Sequence, residues 1–337
     1  MSNRTALSTS FLIAEGWGTA LRRFLAGDAS DRSYDRLTRG AQTAVLMDAP
    51  PGKGDDPATF IAIADHLRGI GLSAPQIYAR DLQNGFLLIE DLGDDLFARV
   101  LRDAPAREPT LYRLATDVLL HLQSHPAPQG LGDLSARDWA KAASFALDWY
   151  AYAATDHRPD AAEFIDTLGT LLSRYADGPR VMILRDYHAE NLLVLAGREG
   201  VASVGLLDFQ LAQMGQPGYD LVSLLQDARR DVAPAVEAEM IRRFADSKGL
   251  DLATFQTAYA VLGAQRALRI LGIFARLCLV SGKPGYLTLV PRVWDQLQAN
   301  LSHPALHDLR RLCAALLPEP TPQILQTIGK KCATPSP

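Results

Sequence analysis

The chain predicts an α+β fold of two lobes, an antiparallel-sheet lobe followed by a mostly helical one. Three observations carry this. Residues 21–48 hold three short apolar runs separated by turn residues. Residues 110–301 are dominated by apolar side chains at helical spacing. The character of the pattern changes between them, close to Glu90. The lobes are therefore placed at residues 1–91 and 92–330, with 331–337 as a frayed tail. A chain of 337 residues is long enough to bury a core in each lobe.

In the first lobe, residues 21–25, 33–37 and 44–47 read as strands, with Gly27-Asp28 and Arg39-Gly40 as the turns between them. Residues 56–70 put Phe60, Ile63, Ala64 and Leu67 on one helical face and stop at Gly71. Residues 76–78 and 86–90 read as two more strands around an Asn84-Gly85 turn. Three strands, a helix and two strands make an antiparallel sheet with one helix packed on it. In the second lobe the helices fall at 110–122, 139–154, 161–175, 235–244, 254–280 and 291–301. Short strands interrupt them at 181–184, 192–195 and 202–207.

Composition narrows the function classes. Hydrophobic content of 48% and charged content of 21% describe a globular chain, and a net charge of −4 argues against nucleic acid as a partner. Cys278, Cys313 and Cys332 show no metal-ligand spacing, and so sparse a set suits a reducing compartment. No uninterrupted apolar segment follows the N-terminus. The longest apolar stretch, 270–280, carries Arg276 and reads as a buried helix rather than a membrane span. The expectation is a cytoplasmic protein with no membrane partner.

Two acidic elements point to the chemistry. Asp186 and Asn191 lie five positions apart, between two short apolar runs, and Asp208 follows 22 positions after Asp186 at the end of another. A loop held between strands can aim Asp186 and Asn191 into a cleft. Alone, the pair reads more readily as a turn bonding its own backbone. With a carboxylate at the exit of an apolar strand, where Mg²⁺ would satisfy it, the arrangement is that of a kinase active site. Asp186 is then the catalytic base, and Asn191 and Asp208 are the metal ligands. His188 is a candidate base or substrate contact, although shaping the loop is the preferred reading. Gly27, Ser30 and Arg32 lie at the first strand turn, which is either a phosphate-cradling turn or an ordinary hairpin. Glu90 and Leu92 join the lobes, where backbone groups can read an adenine edge. Asp220, in the first turn of a helix after Pro217, braces the catalytic loop. Trp149, Tyr150, Tyr152, Gln265, Arg266 and Arg269 are candidates for an acceptor pocket, because rings and bidentate polar groups suit a sugar. Trp149 reads more readily as core.

These residues resemble the aminoglycoside phosphotransferase/choline kinase superfamily, whose fold is protein-kinase-like. The resemblance rests on Asp186-Tyr187-His188-Ala189-Glu190-Asn191, on Leu207-Asp208-Phe209 and on Gly218-Tyr219-Asp220-Leu221, and it spans roughly residues 20–300. Within it the chain is similar to bacterial kinases of N-acetylmuramate and N-acetylglucosamine, through residues 27–34, 47–51, 90–94 and 265–276. The resemblance implies ATP, Mg²⁺ and a small-molecule acceptor, a sugar whose anomeric hydroxyl is phosphorylated. Two departures stand out. Leu184-Arg185-Asp186 replaces the superfamily's His-Gly-Asp, and Ala44-Val45-Leu46-Met47 holds no lysine for the α- and β-phosphates. Arg32 or Lys53 would have to compensate. The missing lysine motivates a nucleotide-binding pseudokinase as one alternative. A kinase of another acceptor, such as an aminoglycoside, choline or homoserine, is the other.

Overall fold

The computed structural model describes residues 3–27, 32–54 and 56–333. Along the chain run α1 (Asn3–Ala14), β1 (Leu21–Gly27), β2 (Ser33–Arg39), β3 (Gln42–Asp48), α2 (Pro57–Gly69), β4 (Ile77–Asp81), β5 (Phe86–Ile89), α3 (Phe97–Asp103), α4 (Glu108–Leu122), α5 (Ala136–Ala143), α6 (Tyr152–Thr155), α7 (Ala162–Tyr175) and β6 (Val181–Ile183). Then come β7 (Leu192–Val194), β8 (Val204–Leu206), β9 (Gln213–Gly215), α8 (Tyr219–Leu225), α9 (Pro234–Lys248), α10 (Leu252–Leu279), α11 (Val290–Leu301), α12 (His307–Leu316) and α13 (Pro322–Lys330).

These elements form two compact units. One joins residues 3–128 to 189–212, and the other joins 129–188 to 213–333. The change from sheet to helix comes after Ile89, beside the expected residue 91, but compactness divides the chain differently. The segment 189–212 belongs with the sheet because its β7–β8 hairpin is tied there. Leu193 bridges Leu96, Gly205 bridges Ser73, and Val194 N–H donates to Asp95 C=O at 2.8 Å.

In the first unit five strands pair antiparallel throughout, in the order β1-β2-β3-β5-β4. Alternation sends Ala44 and Leu46 of β3 to one face and Val45 and Met47 to the other, and all four are buried. On the first face they join Leu37, Phe86, Leu88 and α1's Phe11 and Leu12 in one cluster. Helix α1 was not legible in the sequence. Its packing stripe is only Leu7, Phe11 and Leu12, too short a period to stand out. Helix α2 starts where Asp56 caps Ala58 N–H at 2.9 Å, and it buries Phe60, Ile63, Ala64 and Leu67 as expected.

The second unit is built round α10, whose 28 residues pack against α5, α7, α8, α9, α11 and α13. Gly272 allows the closest approach, since a Cβ there would lie 2.3 Å from the Phe145 carbonyl oxygen. The expected helix 139–154 is broken at this contact into α5, a π-helical turn Ala146–Ala151 and α6. Among the described residues α10 is the one helix long and apolar enough to cross a membrane, yet 78% of its apolar window is buried in protein. A disulfide joins Cys278, at the end of α10, to Cys332, while Cys313 is a buried free thiol. The sparse cysteines gave no sign of that pairing. The expected frayed tail is held as far as residue 333. Ala333 N–H donates to Cys278 C=O at 3.0 Å, and Lys331 Nζ donates to Ala153 C=O at 2.8 Å.

Candidate active site

In the first unit the chain itself brings Asn191 and Asp208 together. Asn191 directly precedes β7 and Asp208 follows β8 by one residue beyond Leu207. The strands pair Leu192 with Leu206, and Leu207 N–H donates to Asn191 C=O at 2.9 Å. The two side chains therefore stand at the same end of one hairpin. Gly205 packs closely opposite Leu193: a Cβ there would lie 3.2 Å from Leu193 Cβ and 3.3 Å from Leu92 Cδ1, so its neighbours would have to shift. Asp208 has φ +55°, a left-handed backbone rare outside glycine, and such strain collects at functional positions. It is held there by what flanks it. Gln210 Nε2 donates to Asp208 Oδ1 at 2.8 Å, and Phe209 stacks on Phe60 of α2 with centroids 4.9 Å apart. An amide oxygen beside a carboxylate is a hard oxygen pair that fits Mg²⁺, which takes one or two protein ligands and leaves its other positions to phosphates and water. Among the described residues no three His, Cys, Asp or Glu side chains are grouped to hold a metal by themselves.

The segment 90–95 after the sheet is clamped in the same unit. Arg36 of β2 donates to Asp91 at 2.9 Å, Asp94 at 2.7 Å and Gly93 C=O at 3.3 Å. Hydrogen bonding to Arg36 holds the Asp94 carboxyl below its ordinary range. Glu90 N–H donates to Gln76 C=O at 2.8 Å, and its carboxylate meets Arg198 and, at 3.5 Å, Arg68. A cleft of about 340 Å³ opens beside this segment, lined by Glu90, Asp91, Leu92 and Asp95 and by the turn 194–198. Of the expected phosphate-turn residues, Gly27 ends β1, Arg32 is buried just before β2, and Ser30 lies outside the described residues.

In the second unit, β6 pairs with β9 and delivers the loop that carries Asp186. That loop is braced from below. Asp220, fully buried on α8, accepts Leu184 N–H at 2.6 Å and Arg185 N–H at 2.8 Å. Ser223, one turn on, donates to Arg185 C=O at 3.1 Å. Arg185 is thus fixed at both ends, with φ +73°. Burial pushes the Asp220 carboxyl up to about 6, against two backbone hydrogen bonds that pull it down. His188 is buried, and desolvation, aided by the charges of Arg229 and Arg266, pushes it down to about 3. It is therefore neutral at ordinary pH and not poised to take a proton, in keeping with a loop-shaping role.

The acceptor candidates are not brought together as one pocket. Gln265 is fully buried and spends its amide N–H on Trp139 C=O at 2.9 Å, a helix-to-helix bond from α10 to α5. Arg266 is buried and points the other way, donating to Ser223 Oγ at 2.8 Å and Gln226 C=O at 3.3 Å. It is a support for the Asp186 loop. Trp149 is half-buried in the π-helical turn, its ring 5.8 Å from the Arg276 guanidinium. Tyr150 is core, with its hydroxyl on Pro318 C=O at 2.8 Å. The residues missed in the sequence are Ser223, Gln226 and Asp227. A signal existed: Asp220, Ser223 and Asp227 recur at helical spacing along an otherwise apolar run.

Comparisons with known proteins identify the family and the fold. Residues 22–255 match the phosphotransferase enzyme family. An N-acetylmuramate/N-acetylglucosamine kinase of Caulobacter vibrioides is 37% identical, over 92% of this chain and 95% of that protein. A kinase of the same description from Pseudomonas aeruginosa is 36% identical, over 90% and 92%. Among solved structures, a choline/ethanolamine kinase family protein from Mesorhizobium loti superposes with a TM-score of 0.62 at 14% identity, covering 97% of this chain and 99% of that one. That likeness shows the kinase-like α+β fold expected from the sequence.

Proposed function

Because the chain belongs to the phosphotransferase enzyme family, we propose that it moves the γ-phosphate of ATP to the anomeric hydroxyl of an N-acetylated amino sugar. The observation that carries the acceptor class is the likeness to the Caulobacter kinase of N-acetylmuramate and N-acetylglucosamine, which runs through 92% of the chain. The braced loop supports the chemistry.

On this reading Asp186 accepts the proton of the attacking hydroxyl and orients it. Residues 1–91 form the nucleotide-binding lobe and 92–330 the catalytic and substrate lobe. Glu90 C=O and Leu92 N–H read the adenine, and the turn from Gly27 through Ser30 meets the phosphates. Arg32, buried at the end of that turn, supplies the positive charge that β3 lacks. Asn191 and Asp208 would hold Mg²⁺, which neutralises charge on the phosphates when bound. Catalysis then comes chiefly from positioning and charge neutralisation.

A second reading, a nucleotide-binding module without turnover, is favoured by one observation: Ala44 to Met47 of β3 are all buried and apolar. ADP release measured with N-acetylmuramate, N-acetylglucosamine, an aminoglycoside, choline and homoserine separates the two. Release with the N-acetyl sugars is the expected result, and Asp186→Ala should lower it by about a thousand-fold or more while ATP still binds. Undiminished turnover in that variant overturns the role of Asp186. ATP binding without release across the panel favours the module.

A further inference from the structure

Between α8 and α9, residues 226–231 carry polar groups that the proposed chemistry leaves unused. Asp227 is only 1% exposed. Its Oδ1 accepts Arg229 N–H at 2.8 Å, while its Oδ2 has no hydrogen-bond partner among the described residues. A bare carboxylate oxygen in the interior is costly, so its presence calls for a reason.

The segment is rigid on both sides of this group. Gln226 and Asn300 of α11 exchange two side-chain hydrogen bonds at 3.1 and 2.9 Å. Gln296 donates to Asp227 C=O at 3.1 Å and Arg292 to Ala228 C=O at 3.2 Å. Arg292 also grips Asp231 at 2.6 and 3.1 Å, and Arg266 holds Gln226 C=O at 3.3 Å. The segment also abuts the Asp186 loop, since Arg229 Nη1 lies 3.4 Å from His188 Nε2. Burial raises the Asp227 carboxyl, against the Arg229 N–H bond and the charges of Arg229, Arg266 and Arg230, which pull it down.

We propose that Asp227 Oδ2 is an acceptor-recognition atom that takes a hydrogen bond from a hydroxyl or acetamido N–H of the sugar. The ligand class follows from the chemistry. With Oδ1 taken by Arg229 N–H, the lone pairs of Oδ2 are open to a donor, and an N-acetylated pyranose presents several at fixed angles. This deepens the kinase reading and rests on it.

Asp227→Asn tests it, because the amide keeps an oxygen for Arg229 N–H and turns the other position from acceptor to donor. Initial rates of ADP release should show the acceptor KM raised about ten- to hundred-fold, with the ATP KM within about twofold of wild type. Sugars lacking one donor each (3-deoxy, 4-deoxy, 6-deoxy, and O-acetyl in place of N-acetyl) should then penalise the wild type at one position and the variant no further there. Equal rises in both KM values, or the same deoxy penalties in variant and wild type, overturn the assignment. If Asp227→Asn fails to fold, the wild-type profile alone decides, since tolerance of every donor deletion also overturns it. Should the wild type turn over no amino sugar but another acceptor of the panel, the amino-sugar reading fails, and the same KM comparison with that acceptor still judges Asp227.

Discussion

The two compact units hold their functional groups by opposite means. In the first, charged pairs near the surface hold the segment 90–95, while Asp208 is flanked by Gln210 and the Phe209–Phe60 stack. Arg36 spans Asp91 and Asp94, and Glu90 meets Arg68 and Arg198. In the second, the supports are buried. Asp220, Ser223, Arg266, Gln226 and Asn300 pass hydrogen bonds from α10 and α11 through α8 to the backbone of Arg185. The difference has an energetic meaning. Water screens and replaces a lost surface pair, whereas a lost buried partner leaves a bare polar group behind. The loop that carries Asp186 should therefore be brittle, and the segment 90–95, proposed above to meet the nucleotide, should be forgiving.

The sharpest way to break the comparison is at Asp220. Replacing it by alanine leaves two backbone N–H groups without an acceptor and should cost about 2–4 kcal/mol of stability, with activity down by more than a hundred-fold. The milder Asp220→Asn exposes a pH dependence. Burial pushes the native carboxyl from its ordinary 3.8 up to about 6. As pH rises through about 4 the unfolded chain loses this proton first, so the native state loses stability until about pH 6 and then levels off. The asparagine variant has no such loss. Urea denaturation at pH 4 and pH 7 should show wild type losing ground to Asp220→Asn as pH rises, by up to roughly 3 kcal/mol at about 1.4 kcal/mol per unit. A gap between the two that does not change with pH would mean that Asp220 is not the strained group its burial implies.

A smaller effect is expected one turn along. Ser223 links Arg266 to the carbonyl of Arg185. Ser223→Ala should cost about 1–2 kcal/mol of stability and lower kcat by about tenfold, with the ATP KM unmoved. If the ATP KM rises in step with the fall in kcat, the two units are not separable in the way their supports indicate.

The same contrast explains what was legible in the sequence. Short-range signals held. Asp56 and Gly71 bound α2, Arg39-Gly40 turns β2 into β3, and Asn191 and Asp208 stand together because a hairpin joins them. Tertiary effects were invisible. Strand β9 is three residues that become a strand only by pairing with β6, and Gly272 breaks a helix that its own residues would continue. Gln265 and Arg266 are the instructive cases. A polar residue on an apolar helix must have a partner, but periodicity cannot say whether that partner is a ligand, a carbonyl or a serine. Both found protein. The disulfide of Cys278 and Cys332 was hidden likewise, because it depends on where α13 returns against α10.

The gentlest test lies in the first unit, at Arg36. Its three partners hold the segment 90–95, yet Asp94 is half exposed and the guanidinium itself is partly in water. Hydrogen bonds to Asp94 and Asp91 raise the arginine, and the bond to Arg36 holds Asp94 down, so each charge stabilises the other. Solvent screening limits what that is worth. Arg36→Ala should lose no more than about 1 kcal/mol of stability, an amount that shrinks as salt is raised from 0.05 to 0.5 M. Its functional trace should be an ATP KM raised by a few-fold, with kcat unchanged, because the linker loosens while the Asp186 loop keeps every support. A fall in kcat larger than the rise in ATP KM would show that the surface clamp and the buried brace act as one device rather than two.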